Sequence, residues 1–227
     1  VTVDGEVAYL AGAELVSNGL WKKGTTYSVT NAEGLALINS KMVDKSAGVG
    51  ITIELLADID FAGKTWTPVD SHIDWNSTVG MINGNGHTLT VTGAGALWDC
   101  AIYTNGGLIK NLTVKGPMRG IFTAGTSADL YIENVTFENV VYTFNSDDGN
   151  KAYGVYVSNS TLNGWTSHSD VHSEVVYTNC SFGEGSSYKY CRPYGKTSFI
   201  NCTFCPGYYV DQSQTDEITF TDCTFEE

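Results

Sequence analysis

Basic residues are scarce in this chain of 227 residues, in which 12 lysines and arginines face 25 aspartates and glutamates, for a formal net charge of -13. The only arginines are Arg119 and Arg192. Since no basic surplus is available to displace counterions from phosphates, we expect neither nucleic acid nor an anionic membrane as a partner.

Long apolar runs, prolines and charges are also few. No stretch of 18 apolar residues is present, so we expect no membrane-spanning segment. Charged residues make up 16% and hydrophobic residues 42% of the chain, which excludes a disordered chain and a coiled coil. Prolines number 4 and glycines 25. Glycine and asparagine therefore have to form most of the turns.

A short phrase recurs along the chain: a polar residue, a small or apolar one, Thr or Ser, and a larger apolar one. Its copies are Thr88–Val91, Asn111–Val114, Asn134–Phe137, Asn159–Leu162, Asn179–Phe182, Asn201–Phe204 and Asp222–Phe225. A looser copy begins at Asp58. Successive copies are 23, 23, 25, 20, 22 and 21 residues apart. This regular spacing indicates a repeat architecture.

Each copy lies in a short segment rich in Val, Ile, Thr, Tyr and Phe, in which apolar residues alternate with Thr or Ser. A period near 22 residues fits one coil of a parallel β-helix, whose strands stack about 4.8 Å apart. The pattern predicts an all-β fold, a right-handed single-stranded parallel β-helix. The leading Asn suits a bent backbone and can hydrogen-bond to the next coil.

The repeats resemble right-handed parallel β-helices of the pectin-lyase-like class, over about residues 28 to 225. The stretches from Asp58 to Val69 and from Gly80 to Leu89 are similar to the opening coils of β-helical surface proteins of gut and other host-associated bacteria. The resemblance implies the fold and an extracellular or cell-surface location. It leaves the activity open, because lyases, hydrolases, tailspikes and adhesins share this architecture.

A predicted capping helix near the start of the chain separates leading strands from the β-helix domain. Thr30 and Glu33 form the pattern of a capping box, which predicts a capping helix over about 31–43, and Leu35, Ile38 and Met42 share one helical face. Residues 1–27 are expected to form leading strands, and residues 28–227 the β-helix domain. The chain begins with Val1 and ends directly after a strand. We therefore expect a monomeric segment of a longer surface protein, with a head-to-tail filament and a natural uncapped terminus as the rival interpretations.

Cysteines and sequons both follow the repeat. Cys180, Cys202 and Cys223 occupy one inward position of successive coils, which predicts buried free thiols. Cys191 and Cys205 occupy non-equivalent positions, and whether they pair is left open. Asn-x-Ser/Thr occurs at six sites, five of which are repeat copies, so the repeat itself accounts for the pattern. The six sites are Asn76, Asn111, Asn134, Asn159, Asn179 and Asn201.

Signals for catalysis or a cofactor are weak. Neither arginine has an acidic cluster in its own segment, as a calcium-dependent lyase would need. Asp147 and Asp148 are a pair that a glycoside hydrolase could use or that could form a weak calcium loop, although a turn is the commoner origin of such a string. An extended segment with alternating His168, Asp170, His172 and Glu174 could chelate a transition metal, and a solvated loop is the alternative. We predict no catalytic residues, no metal and no cofactor.

Aromatic residues in two successive coils provide the candidate binding surface. Tyrosine and arginine favour interfaces, and flat tyrosine rings also suit sugars, although packing is the alternative explanation. If the coils stack, Arg192 lies over or near Asp211. The predicted binding residues are Tyr188, Tyr190, Arg192, Tyr194, Tyr208, Tyr209 and Asp211. Further candidates are Trp66, Trp75 and Trp165.

Three functions remain in view. The favoured hypothesis is a non-catalytic, adhesin-like binding segment that recognises a host protein, for example immunoglobulin, or a glycan. The alternatives are a polysaccharide lyase or glycoside hydrolase and a structural spacer module.

Overall fold

A computed structural model of the protein describes residues 12–38, 50–61, 73–75, 80–91, 100–124, 128–148 and 150–227. This part of the chain forms 24 strands and one short helix, α1 (Ala32–Leu37). The first strands are β1 (Glu14–Ser17), β2 (Leu20–Lys23), β3 (Thr26–Val29), β4 (Thr52–Leu55), β5 (Ile59–Asp60), β6 (Ile73–Trp75), β7 (Met81–Asn83) and β8 (Thr88–Thr90).

Longer strands cross the middle of the chain: β9 (Cys100–Thr104), β10 (Gly107–Lys115), β11 (Arg119–Ala124), β12 (Leu130–Glu138) and β13 (Tyr142–Asp148). The next four are β14 (Val155–Ser158), β15 (Thr161–Asn163), β16 (Trp165–His168) and β17 (Val175–Thr178). The last are β18 (Ser181–Gly183), β19 (Tyr190–Arg192), β20 (Gly195–Ile200), β21 (Thr203–Phe204), β22 (Tyr209–Val210), β23 (Thr215–Thr221) and β24 (Thr224–Phe225).

The strands wind into a parallel β-solenoid of about seven turns, with about 23 residues per coil. Each strand pairs with its counterpart one coil later, as Val155 does with Val175 and Trp165 does with Tyr190. The coils share a 17-stranded sheet and a seven-stranded sheet, which consists of β6, β9, β11, β13, β16, β19 and β22. The pairings β1–β2 and β2–β3 are antiparallel. The predicted all-β parallel fold is confirmed.

Asparagines stand where the 17-stranded sheet turns a corner. Their backbones lie in the left-handed region at φ of 50–54°, which asparagine tolerates better than most residues. These corner residues are Asn111, Asn134, Asn159, Asn179 and Asn201, with Asp222 in the last coil. Asn134 donates from Nδ2 to Oδ1 of Asn111 at 2.9 Å, and Asn179 to Asn159 at 3.2 Å. The predicted role of the repeat asparagine, a bent backbone bonded to the next coil, is confirmed.

The first copy of the repeat lies in a different register from the one that the sequence predicts. Thr113 pairs with Thr88 and Val114 with Leu89, so the phrase that begins at Thr88 is two residues out of phase with the one that begins at Asn111. Asn85 and Gly86, both with positive φ, take the corner in this coil. The assignment failed because Gly86 replaces the asparagine that marks the later corners.

Aromatic stacks fill the interior of the last coils. Phe204 stacks between Phe182 at 4.7 Å and Phe225 at 4.6 Å between ring centroids. A second stack runs through Tyr177, Phe199 and Phe220, with ring separations of 5.0 and 5.1 Å. The alternation that the sequence shows therefore places the large apolar residues inside. Full burial of each such side chain stabilises the fold by about 1.5–3 kcal/mol.

The helix begins one residue later than the capping box predicts. Asn31 caps it and accepts a hydrogen bond from the Gly34 amide at 2.9 Å, and the capping box led by Thr30 is therefore wrong. Residues 39–49, into which the predicted helix extends, lie outside the described residues. Strand β3 pairs with both β2 and β4, so it joins the leading strands to the coils. The division at residue 28 stays a prediction.

Candidate functional site

The outward face of the seven-stranded sheet carries a row of aromatic residues, one from each of four successive coils. Tyr142 pairs with Trp165, Trp165 with Tyr190, and Tyr190 with Tyr209. We call these four residues the aromatic ladder. Its ring centroids are 5.0, 4.7 and 5.7 Å apart, which is the range in which aromatic pairs attract each other. The stacking of coils thus gathers residues that are far apart in sequence.

Exposure increases toward one end of the aromatic ladder. Trp165 is half-buried between Tyr142 and Tyr190, whereas Tyr209 is 59% exposed. Tyr188, from the segment that leads into β19, lies 5.3 Å from Trp165 and is 40% exposed. The water-accessible part of this surface therefore centres on the last coils.

Arg192 lies beside the aromatic ladder. Its guanidinium carbon is 5.7 Å from the Trp165 ring and 5.4 Å from the Tyr194 ring, at cation–π distances. Cys191 pairs with Val210, which places Arg192 next to Asp211 in the adjoining coil. The pKa of the Asp211 carboxyl is lowered, mainly by hydrogen bonds from Tyr190 and Ser213 and to a smaller degree by the positive charge of Arg192. The predicted proximity of Arg192 and Asp211 agrees with this geometry.

A hydrogen bond between coils holds Tyr190. Its hydroxyl donates to Asp211 Oδ2 at 2.7 Å. This bond is the largest cause of the lowered Asp211 pKa, followed by bonds from Ser213. Burial, together with the same bond, raises the pKa of Tyr190 to about 12. Tyr190 therefore remains a neutral donor that is already engaged with Asp211.

Tyr208 does not belong to this surface. Its hydroxyl donates to the main-chain carbonyl oxygen of Tyr190 at 3.0 Å, and its ring packs against Phe182 and Phe204 at 5.7 Å. The sequence placed Tyr208 beside Tyr209 among the binding residues. Because successive side chains of a strand point to opposite faces, only one of these neighbours can face outward. The assignment of Tyr208 to the binding surface is wrong.

The second arginine, Arg119, pairs with Tyr142 at the other end of the aromatic ladder. It is 5% exposed, and its guanidinium lies over the rings of Phe122 and Tyr142 at 5.2 and 4.8 Å. Both arginines of the chain therefore lie against aromatic rings of the same sheet. Arg119 is too buried to offer its charge to a large ligand, which leaves Arg192 as the accessible arginine.

The two histidines of the possible chelating segment face the interior. His168 is 1% and His172 5% exposed, and His172 Nε2 lies 3.0 Å from Ser146 Oγ. Asp170 instead pairs with Lys151 at 2.6 Å, and Glu174 lies 3.8 Å from Lys196. The chain bends after His168, so the four side chains do not converge. Within the described ranges, no group of three or more His, Cys, Asp or Glu side chains could hold a metal.

Most cysteine side chains lie in the interior of the coils. Cys180 and Cys202 are buried in the predicted inward row, and each thiol donates to a main-chain carbonyl of the strand that precedes it, at 3.4 Å. Cys223 continues the row and is half-buried. Cys191 is fully buried and Cys205 half-buried, and all six cysteines are free. The alternative in which Cys191 and Cys205 form a disulfide is therefore wrong.

The sequence pattern did not predict every residue of the aromatic ladder. Tyr142 was not singled out, and Trp165 was only a secondary candidate. The ladder residues follow the corner asparagines by six to eleven residues, because the second corner of each coil differs in length.

Trp66 lies outside the described residues, as does the side chain of Trp75. Asp147 is exposed near the end of β13.

No family model matches the chain, and no curated protein matches it. Among solved structures, it is similar to a candidate immunoglobulin A1 protease from Bacteroides ovatus at 15% sequence identity and a TM-score of 0.46. The likeness covers 89% of this chain and 86% of the other. The fold found here is a parallel β-solenoid, and membership of the pectin-lyase-like class stays a prediction. No helix in the described part of the chain has the length and apolarity to cross a membrane.

Proposed function

We propose that the chain is a non-catalytic binding segment of a secreted or cell-surface bacterial protein and that it recognises a host protein. The ligand docks on the outward face of the seven-stranded sheet at the last coils. The observation that carries this proposal is the pair of exposed rings, Tyr188 beside Trp165 and Tyr209 beside Tyr190, with Arg192 also next to Trp165.

The composition of this surface supports a protein ligand. Tryptophan, tyrosine and arginine are the residue types that most often dominate the binding energy of protein interfaces. Charged groups lie at its margin, where Lys189 pairs with Glu184 at 3.1 Å. A centre of aromatic residues with a polar margin is the usual anatomy of such an interface.

The orientation of the rings favours a protein over a glycan. A sugar stacks on an open ring face, but the rings of Trp165 and Tyr190 pack against each other in an edge-to-face arrangement. Tyr142 and Tyr188 also pack against Trp165, at 5.0 and 5.3 Å between ring centroids, and Tyr209 is the most exposed member of the aromatic ladder. A protein ligand can use the edges and hydroxyl groups of such rings, together with the guanidinium of Arg192.

The test is a binding screen of the immobilised chain against host proteins, with immunoglobulin and mucin included, and against a glycan array. For a protein ligand, Tyr209→Ser and Arg192→Gln should each weaken binding about tenfold or more, as expected for residues at the centre of an interface. Ile200→Ser is the matched control, because Ile200 is 37% exposed on the other sheet. Equal losses in all three variants, or binding to glycans alone, would contradict the proposal.

A further inference from the structure

A second row of apolar side chains lies on the outward face of the 17-stranded sheet, away from the aromatic ladder. Strand pairing brings five residues into register across five coils. We call them the tyrosine stripe: Met81, Leu108, Tyr131, Tyr156 and Val176. Tyr131 is 41% exposed, and the other four residues of the tyrosine stripe are half-buried. A contiguous apolar stripe on an outward sheet face marks an interaction surface.

The centre of the tyrosine stripe has a defined geometry. The rings of Tyr131 and Tyr156 stack with centroids 5.2 Å apart and planes at 21°. The Tyr156 hydroxyl donates to Glu174 Oε1 at 3.1 Å, which fixes that ring. Two rings held in this way form a firm platform, and ordering it on binding costs little side-chain entropy.

Carboxylates flank this platform. Asp129 and Glu133 lie two residues before and after Tyr131, and therefore on the same face of the sheet. One oxygen of Asp129 accepts from the Gly154 amide at 2.8 Å, and Glu133 is exposed. Burial, and then the bond to Glu174, raise the pKa of Tyr156 to about 12, and Asp129 contributes through its negative charge. Lys110 is the register partner of Glu133, and Lys196 lies 3.8 Å from Glu174. The three carboxylates Asp129, Glu133 and Glu174 outnumber these two lysines, so the net charge beside the platform is negative.

We propose that the tyrosine stripe docks an extended basic segment of a partner protein. Lysine and arginine have apolar stems and charged heads. Stems laid along Leu108 and Tyr131 would place the heads within reach of Asp129 and Glu133. The net charge of -13 of the chain attracts such a segment over longer distances and speeds its arrival. This surface lies on a different sheet from the proposed host-protein site, so either can fail without the other.

The experiment measures the fluorescence anisotropy of labelled octalysine titrated with the whole chain, and octaglutamate serves as the opposite-charge probe. Octalysine should bind and octaglutamate should not. Glu133→Gln and Tyr131→Ala should each weaken octalysine binding about fivefold. Glu133 is exposed, so its replacement should leave folding intact, and thermal melts of both variants check this.

Asp147→Asn is the matched control, because it removes one negative charge from an exposed residue on the other sheet. It should change octalysine binding less than about twofold. Equal weakening by Glu133→Gln and Asp147→Asn would overturn the proposal, because it would show only the general attraction of an acidic chain. Absence of octalysine binding would overturn it too, as would unchanged affinity in folded Tyr131→Ala.

Discussion

Asn201 donates a hydrogen bond from Nδ2 to Oδ1 of Asn179 at 2.8 Å, across the step from one coil to the next. Both residues have the left-handed backbone of the corner, at φ of 52° and 54°. One residue type thus meets two needs of the solenoid, because it tolerates the bend and links neighbouring coils.

Replacing Asn179 separates these two contributions. Asn179→Ala loses the side-chain bonds and strains the backbone, so we expect the free energy of unfolding to fall by about 2–3 kcal/mol. Asn179→Gly loses the same bonds but fits the positive φ, so we expect a loss of about 1 kcal/mol. Urea denaturation measures both variants. A glycine variant no more stable than the alanine variant would contradict the role of the left-handed backbone.

The phenylalanine stack provides a second test, with a control inside the same row. Phe204 is fully buried between two rings, whereas Phe225 stacks on one ring and is 53% exposed. We expect Phe204→Ala to lower the free energy of unfolding by about 3–5 kcal/mol and Phe225→Ala by about 1 kcal/mol. Chemical denaturation of the two variants measures the difference, and similar losses would contradict the burial gradient.

The solenoid could be predicted because its signal is local to each coil. Asn134, Asn159 and Asn179 each set a corner through their own backbone, and the alternating residues after them decide which side chains face inward. Cys180 and Cys202 could be placed in the interior for the same reason, since they follow a corner asparagine directly. No long-range information is needed for these assignments.

The candidate site was harder to predict, because it depends on the second corner of each coil. The loop before β19 is longer than the one before β16, so Tyr190 and Trp165 do not share a sequence offset although they are paired. The sequence is equally uninformative about which residue of a two-residue strand faces outward. A shift of one residue would exchange Tyr208 and Tyr209 between the interior and the surface. Strand pairing, which only the structure shows, resolves both.

Thiol reactivity tests the placement of the cysteines. Cys205 and Cys223 are half-buried, whereas the other four are buried, and burial raises the pKa of the Cys191 thiol. Since a disulfide reagent must reach the sulfur atom, we expect the two half-buried thiols of the native chain to react quickly and the four buried ones to react slowly. All six should react after denaturation without reductant. Fewer than six would reveal a disulfide and contradict the free thiols.

The buried histidines predict a loss of stability in mild acid. Burial lowers the pKa of His168 from 6.5 to about 3 and that of His172 to about 4. Between these values and pH 6.5, the unfolded chain takes up protons that the folded chain does not. The stability that these groups contribute is therefore complete above pH 6.5 and is lost as the pH falls toward the folded values. Each histidine lowers the free energy of unfolding by up to about 1.4 kcal/mol per pH unit.

Urea denaturation at several pH values between 7.5 and 5, with wild type and His168→Gln, isolates this effect from that of the carboxylates. The variant should be less stable at pH 7.5, because Gln does not fill the space of the imidazole, yet it should lose less stability on acidification. His87→Gln is the control for replacing a histidine by glutamine, because His87 lies at the surface beside Asp58. If wild type and His168→Gln lose stability in parallel, His168 is not held neutral inside the coil, because a buried neutral imidazole must oppose protonation.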